Sequence, residues 1–405
     1  MNVLMFSPGF PAEMPHFTRG LAEVGANVIG LGDQPKQGLH ETTRKHLSAY
    51  VQVQSLGDFG HLQEEVRKIA SKVRIDRVEC LFEPVMIQAA RIREMLGLPG
   101  MTADATLPFR DKEVMKQRLD AAGIRTPRHG NAFTADQVRE HAERIGFPLI
   151  VKPIDGAGSQ DTYRVDDPRE LEAALANLRH VNEVSVEEFI DGEDYTFDTV
   201  SIDGRIHYFN IAYYRPRALI SREQEWISQQ TICRRDVDSD WVKSGREMGF
   251  AVHEALNVGT GFTHMEWYRK ADGEAVFGEI AARAPGVRTV DLMNFASDLD
   301  LFRGWAEASC FGRFSQPIER KYFSAGVFKR AQGQGTIRKI AGLDRILADF
   351  GHHVCAVDLT PVGAPRKNWR TSVLADGFVM LRHPDHQTTL EMADRVGVEV
   401  QLYAS

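Results

Sequence analysis

The first hundred residues alternate apolar runs of strand length with amphipathic stretches, and this restricts the fold more than any other feature of the chain. Asn2–Phe6 and Asn27–Leu31 are apolar runs. Between them Pro15 suits a first helical turn, and Phe17, Leu21 and Val24 recur at helical spacing before Gly25. Leu62, Val66, Ile69 and Val73 mark one face of another helix, and Arg77–Phe82 reads as a third strand. Strands connected through helices run parallel, because a parallel pair needs a long crossover. A parallel sheet with helices on its faces is therefore expected over residues 1–103.

A linker-like stretch, LGLPGMTADATLPF, follows at 96–109, and then the helix of DKEVMKQRLDAAG, stopped by Gly123. Thr134 caps a helix running to Gly146. Strands at Leu149–Lys152, Thr162–Val165 and Val184–Ile190, with a helix started by Asp167 and Pro168, make a small α+β unit. Beyond Tyr195 the pattern is β-rich. Asp203-Gly204 and Asp272-Gly273 each read as a tight hairpin turn, with a helix near Trp241–Leu256 between the two hairpins. After about residue 315 the composition shifts. Strands are expected at Ser324–Arg330, Val354–Leu359 and Gly377–Arg382, and helices near 342–350 and 385–396. The expected division is 1–103, then a core at 104–315 (small lobe about 128–190, larger β-rich lobe about 191–315), then a C-terminal α+β domain at 316–405.

The net charge of −7 gives no electrostatic reason to expect nucleic acid or an anionic membrane as partner. Cys80, Cys233, Cys310 and Cys355 are scattered, none at CxxC spacing, so neither a zinc site nor a disulfide framework is expected. The start MNVLMFSPGF lacks a basic, apolar leader pattern, and no run reaches 18 apolar residues. A soluble cytoplasmic protein is the expectation.

Three segments carry chemistry. In LIVKPIDGAGSQ (149–160) an apolar strand delivers Lys152 to a loop with Gly156, Gly158 and Ser159. Glycines let backbone N–H groups approach phosphate oxygens, and the lysine adds a point charge. Taken alone, the segment is equally a glycine turn beside a surface lysine. In VEEFIDGEDYTF (186–197), Glu187 and Glu188 end a strand continuing through Phe189 and Ile190. Its backbone offers N–H and C=O groups to an adenine edge, and the acids beyond it could hold ribose. Third, Glu266 lies six residues before Asp272, and Glu279 six after Gly273. The near-symmetric offsets put the two carboxylates roughly opposite each other, an arrangement that a divalent cation carrying ATP phosphates would stabilise. Arg283, four residues beyond Glu279, is expected on the same face, suited to a carboxylate or a transferring phosphoryl group. His264 shares the face of Glu266, but a lone histidine is more often structural.

With these pieces in order, the chain resembles the ATP-grasp superfamily, from roughly residue 75 to 315. The resemblance rests on Arg110-Asp111-Lys112, Lys152 before the Gly-rich loop, Glu187-Glu188-Phe189-Ile190, Gly192-Glu193-Asp194, Glu266, and Glu279-Ile280-Ala281-Ala282-Arg283. It implies an ATP-grasp fold: an N-terminal parallel-sheet domain, a two-lobed ATP-binding core and a C-terminal lid-like domain. It further implies that Lys112 and Lys152 contact ATP, that backbone groups at Glu188 and Ile190 pair with adenine, and that Asp194 or Glu193 reaches the ribose. Glu266 and Glu279 would hold Mg²⁺, for which Mn²⁺ could substitute. Ala281 departs from the usual pattern, standing where an asparagine commonly ligates the metal.

Within the superfamily, LGLPG, GFTHMEWY and EIAARAPG are most similar to carboxylate–amine ligases, including L-amino acid (dipeptide) ligases. That resemblance implies ATP-dependent amide formation through an acyl phosphate, with small-molecule carboxylate and amine substrates, and leaves a homodimer open. Two other readings stand beside it. One is a carboxylating or formyl-transferring ATP-grasp enzyme activating bicarbonate or formate. The other, suggested by Ala281, is a nucleotide-binding module without catalysis.

Overall fold

The computed structural model describes residues 1–154, 161–370 and 374–405. The N-terminal sheet is parallel throughout. Its strands run in the order Ala49–Gln52, Asn27–Gly32, Asn2–Phe6, Arg77–Cys80. One face packs Leu4, Phe6, Ile29 and Val78 against the helices Phe59–Ala70 and Met86–Leu96. The other turns Val3, Met5 and Val28, with Phe17 and Leu21 of the helix Met14–Glu23, into a core shared with Phe262, Met293 and Trp305 of the larger lobe. The sheet is thus docked on the rest of the chain through its own hydrophobic face.

The small lobe is a four-stranded antiparallel sheet in the order His129–Ala132, Val184–Glu188, Leu149–Pro153, Tyr163–Val165. Thr134 and Gln137 form a capping box on the helix Ala135–Ile145, and Asp167 caps Pro168–Asn177. Strand alternation sorts the two faces. Leu149, Val151, Val184 and Val186 enter the lobe's core, which leaves Ile150, Lys152, Ser185 and Glu187 on the opposite face.

The larger sheet has eight strands, ordered Ala275–Ala281, Gly261–Arg269, Glu193–Ile202, Arg205–Arg215, Gln230–Cys233, Phe323–Phe328, Gly377–His383, Val354–Leu359. Asp203 and Gly204 both have positive φ, as a two-residue hairpin turn requires. The last three strands come from beyond residue 316, so the expected boundary at 315/316 falls inside one continuous sheet. The helix His386–Glu399 packs on two of them.

Several elements had no clear sequence signal: helices Met86–Leu96, Thr289–Ser297 and Leu301–Phe311, and strands Ala49–Gln52 and Gln401–Ala404. Leu301–Phe311 buries nine of its eleven residues, so it carries no polar face from which a helical period could be read. Among the described residues, no helix is long and apolar enough to cross a membrane. The four cysteines are free; Cys80, Cys233 and Cys310 are buried.

Candidate active site

The cleft between the lobes has two walls. The small-lobe wall carries Lys152 and Glu187; the helix Lys112–Ala121, capped by Asp111, places Lys112 at its first position. Glu187, 4% exposed, takes a 2.5 Å ion pair from the fully buried Lys116 and a 3.0 Å pair from Lys152. Ser185 Oγ donates a further 2.8 Å bond to the same carboxylate. Burial opposes the charge on Glu187, but the two ammonium groups outweigh it and hold the carboxyl well below its ordinary range. The same burial pushes Lys116 down despite its partner. Lys152 is therefore an embedded member of a charge cluster and not a surface lysine.

The large-lobe wall is a ladder fixed by strand register. Glu266 is the direct cross-strand partner of Glu279 and lies beside Thr196; Tyr268 lies beside Asp194; His264 lies beside Asp198 and opposite Ala281. The two glutamates therefore meet, as their offsets predicted, but by a different route. The turn runs Lys270–Glu274, one residue longer than a two-residue hairpin, and a bulge between Glu266 and Trp267 makes up the difference. Gly278 is the extra residue of that bulge. A Cβ there would lie 2.8 Å from the Glu266 carbonyl oxygen, so the site needs glycine.

Lys112 Nζ reaches across to Glu279 Oε2 at 3.6 Å and donates to the Ile154 carbonyl at 3.3 Å. Burial works against the Glu279 charge, yet Lys112 and Lys152 pull its carboxyl below the ordinary range. Glu266 is flanked by His264 Nε2 at 3.6 Å and by the Tyr214 hydroxyl at 3.5 Å. Burial disfavours charge on His264, but a 2.6 Å bond to the buried Asp198 drives its pKa up to about 9, so a cation stands behind Glu266. Asp198 is held in turn by Thr196 and Asn210.

The remaining expected residues divide. Phe189, Ile190 and Asp194 line the cleft. Asp194 accepts from Arg217 Nε at 2.8 Å and from the Ala218 amide at 3.1 Å. Glu193 is on the other face of its strand, where Tyr195 donates to it. Glu188 also lines the cleft, but its carboxylate is bound by Arg125 and by the Arg128 amide, each at 3.1 Å. Arg283 lies past the end of its strand, which stops at Ala281, and is not among the described residues lining the cleft. Its Nε donates to Glu83 Oε2 at 2.7 Å, and Glu83 also pairs with Arg110. Gly156, Gly158 and Ser159 fall outside the described residues.

Lys116, Glu83, Arg217 and Asp198 were not anticipated. Lys116 is four residues after Lys112 on one helix, and Asp194, Thr196 and Asp198 alternate along one strand; both spacings were available in the sequence. Glu83 and Arg217 reach the site only through tertiary contacts.

The site is thus a cleft between a small antiparallel lobe and a larger sheet, with lysines on one wall and register-paired carboxylates on the other. The family model described as ATP-grasp domain matches residues 109–223. The fold matches that of an L-amino acid ligase from Bacillus licheniformis, with a TM-score of 0.83, 21% identity and coverage of 100% of this chain and 98% of that one. In sequence, the chain is 22% identical to the L-arginine-specific L-amino acid ligase of Bacillus subtilis, over 66% of this chain and 66% of the relative. It is 26% identical to the alanine–anticapsin ligase of Bacillus subtilis, over 62% of this chain and 57% of the relative. The chain thus spans less than two thirds of the length of either relative.

Proposed function

We propose that the chain uses ATP to activate a small-molecule carboxylate as an acyl phosphate and joins it to an amine, releasing ADP and phosphate. The observation that carries this reading is the pairing of Glu266 with Glu279 directly across the cleft from Lys112 and Lys152. Two carboxylates suit a divalent cation, and two ammonium groups suit a polyphosphate. The ligase names of both sequence relatives support an amine as acceptor.

The residues present fit Mg²⁺, or Mn²⁺ in its place. Glu266 and Glu279 would hold it, and Ala281 leaves further positions to phosphate oxygens and water. The ion supplies neutralisation of phosphate charge. The strand end at Glu187–Ile190 would take adenine, and Asp194 the ribose, with Arg217 as its present partner. A substrate carboxylate oxygen attacks the γ-phosphorus in line and the bond to the ADP oxygen breaks, while Lys112 and Lys152 hold the spreading charge. Arg283, kept in place by Glu83, steadies the acyl phosphate. The amine nitrogen then attacks the carbonyl carbon, phosphate leaves, and the nitrogen gives up its proton. The free cysteines support a cytoplasmic setting.

Lys152→Ala is expected to weaken ATP binding by roughly ten- to a hundredfold, the range for a charged hydrogen bond. The fold should persist, because Lys116 remains on Glu187. Calorimetry on the folded variant checks this, and unchanged affinity removes Lys152 from the nucleotide site.

Hydroxylamine trapping tests the reaction. With ATP, Mg²⁺ and a panel of amino acids, the protein should form the hydroxamate of the acid it activates, and Arg283→Ala should lower hydroxamate and ADP together. ADP release that needs bicarbonate and gives no hydroxamate would replace the ligase with a carboxylating enzyme. Nucleotide binding without either product would leave only a binding module.

A further inference from the structure

A second cavity lies between the parallel sheet, the linker and the larger lobe, and it shares no lining residue with the nucleotide cleft. Arg77 and Glu79 both line it, from the edge strand Arg77–Cys80. Two positions apart, they leave the strand on one face, separated by roughly 6.6 Å of strand rise. Among the described residues neither side chain forms a salt bridge or a hydrogen bond. Burial raises the Glu79 carboxyl above its ordinary range, against the pull of Arg93 and Arg77. Ser309 also lines the cavity; it is 5% exposed, and its Oγ has no hydrogen-bond partner. Arg93 is already committed, donating to the carbonyls of Val78 at 2.8 Å and Met101 at 3.1 Å.

Buried polar groups are normally satisfied, so the partnerless Ser309 hydroxyl, with the half-buried Glu79 carboxyl in the same cavity, is a candidate for a ligand's hydrogen bonds. Opposite charges on one face select a ligand that carries both. Such a ligand is neutral overall and loses less on desolvation than a lone cation or anion. Leu81, Met86, Phe262 and Trp305 supply an apolar wall. We propose that this cavity binds a free apolar α-amino acid, its ammonium on Glu79 and Ser309 and its carboxylate on Arg77. The site rests on its own residues and does not depend on the proposed reaction.

Calorimetric titration of the nucleotide-free protein with L-leucine, L-methionine and L-phenylalanine tests it. At least one should bind at one per chain. Glu79→Gln and Arg77→Ala should each weaken that binding at least about tenfold, as expected for losing one charged contact. Arg283→Ala should leave it unchanged, and Glu79→Gln should keep the affinity for ATP. Glu79→Gln removes an unpartnered carboxylate, so at neutral pH its Tm should equal or exceed that of the unmodified protein; the bound amino acid should raise Tm in the latter only. Absence of binding by all three overturns the proposal. So does binding that survives Glu79→Gln and Arg77→Ala but disappears in Arg283→Ala, since it would then belong to the active site.

Discussion

Replacing Glu279 by glutamine is expected to lower turnover about a hundredfold or more, the scale for removing one aligned electrostatic contact from a charge-building transition state. ATP affinity should fall much less. The substitution keeps size and one acceptor oxygen, and the lysines that would hold the ground-state phosphates remain. What it removes is one of two charges opposed across a single register pair. Lys112, 3.6 Å from this carboxylate, loses its countercharge at the same time. Steady-state turnover at saturating Mg²⁺, read beside calorimetric ATP binding, separates the two effects, and Mn²⁺ affinity measured by paramagnetic resonance adds a readout independent of activity. Turnover near that of the unmodified protein would remove the paired carboxylates from the mechanism.

Glu187→Ala should produce the largest loss of stability, about 3–5 kcal/mol, because it leaves the fully buried Lys116 without its partner. Burial already pushes Lys116 downward, so the orphaned ammonium can escape by losing its proton. The deficit should therefore be greatest around neutral pH and shrink as pH rises through the lowered lysine value. In the unmodified protein the sign is set by Glu187. Its depressed pKa gives a contribution fully present above the ordinary carboxylate range, lost only as pH falls through the lower folded value. Urea unfolding across pH checks both trends. Adding Lys116→Met to the variant should recover much of the loss, and failure to recover would mean that Glu187 acts through something other than this pair.

What could be read in advance follows from which interactions are local. The apolar strand ahead of the Gly-rich loop marks Lys152, and the offsets around Asp272-Gly273 bring Glu266 to Glu279. Even so, that second result needed a bulge at Gly278 that no local pattern announces. Helices with a polar side, such as Ala135–Ile145, show their period, whereas Thr289–Ser297 and Leu301–Phe311 are buried on nearly every side and show none. Lys116 carried no sign of its role, because burial is a property of the packed molecule. Glu83 meets Arg283 across 200 residues of chain, and Arg217 meets Asp194 from a loop; neither encounter leaves a sequence period to detect.

The eight-stranded sheet also constrains how the molecule is made. Gln230–Cys233 lies in its interior, with one edge on Arg205–Arg215 and the other on Phe323–Phe328, and the latter is in turn bordered by Gly377–His383. During synthesis the first of these edges can be satisfied early, but the second waits for nearly a hundred more residues to emerge, and its neighbour for about fifty after that. Until then the nascent chain presents an open, apolar strand edge of the kind that pairs with other chains. Within this sheet Gln230–Cys233, with Thr231, Ile232 and Cys233 all buried in the finished molecule, is thus the strand whose second edge is paired latest after its translation.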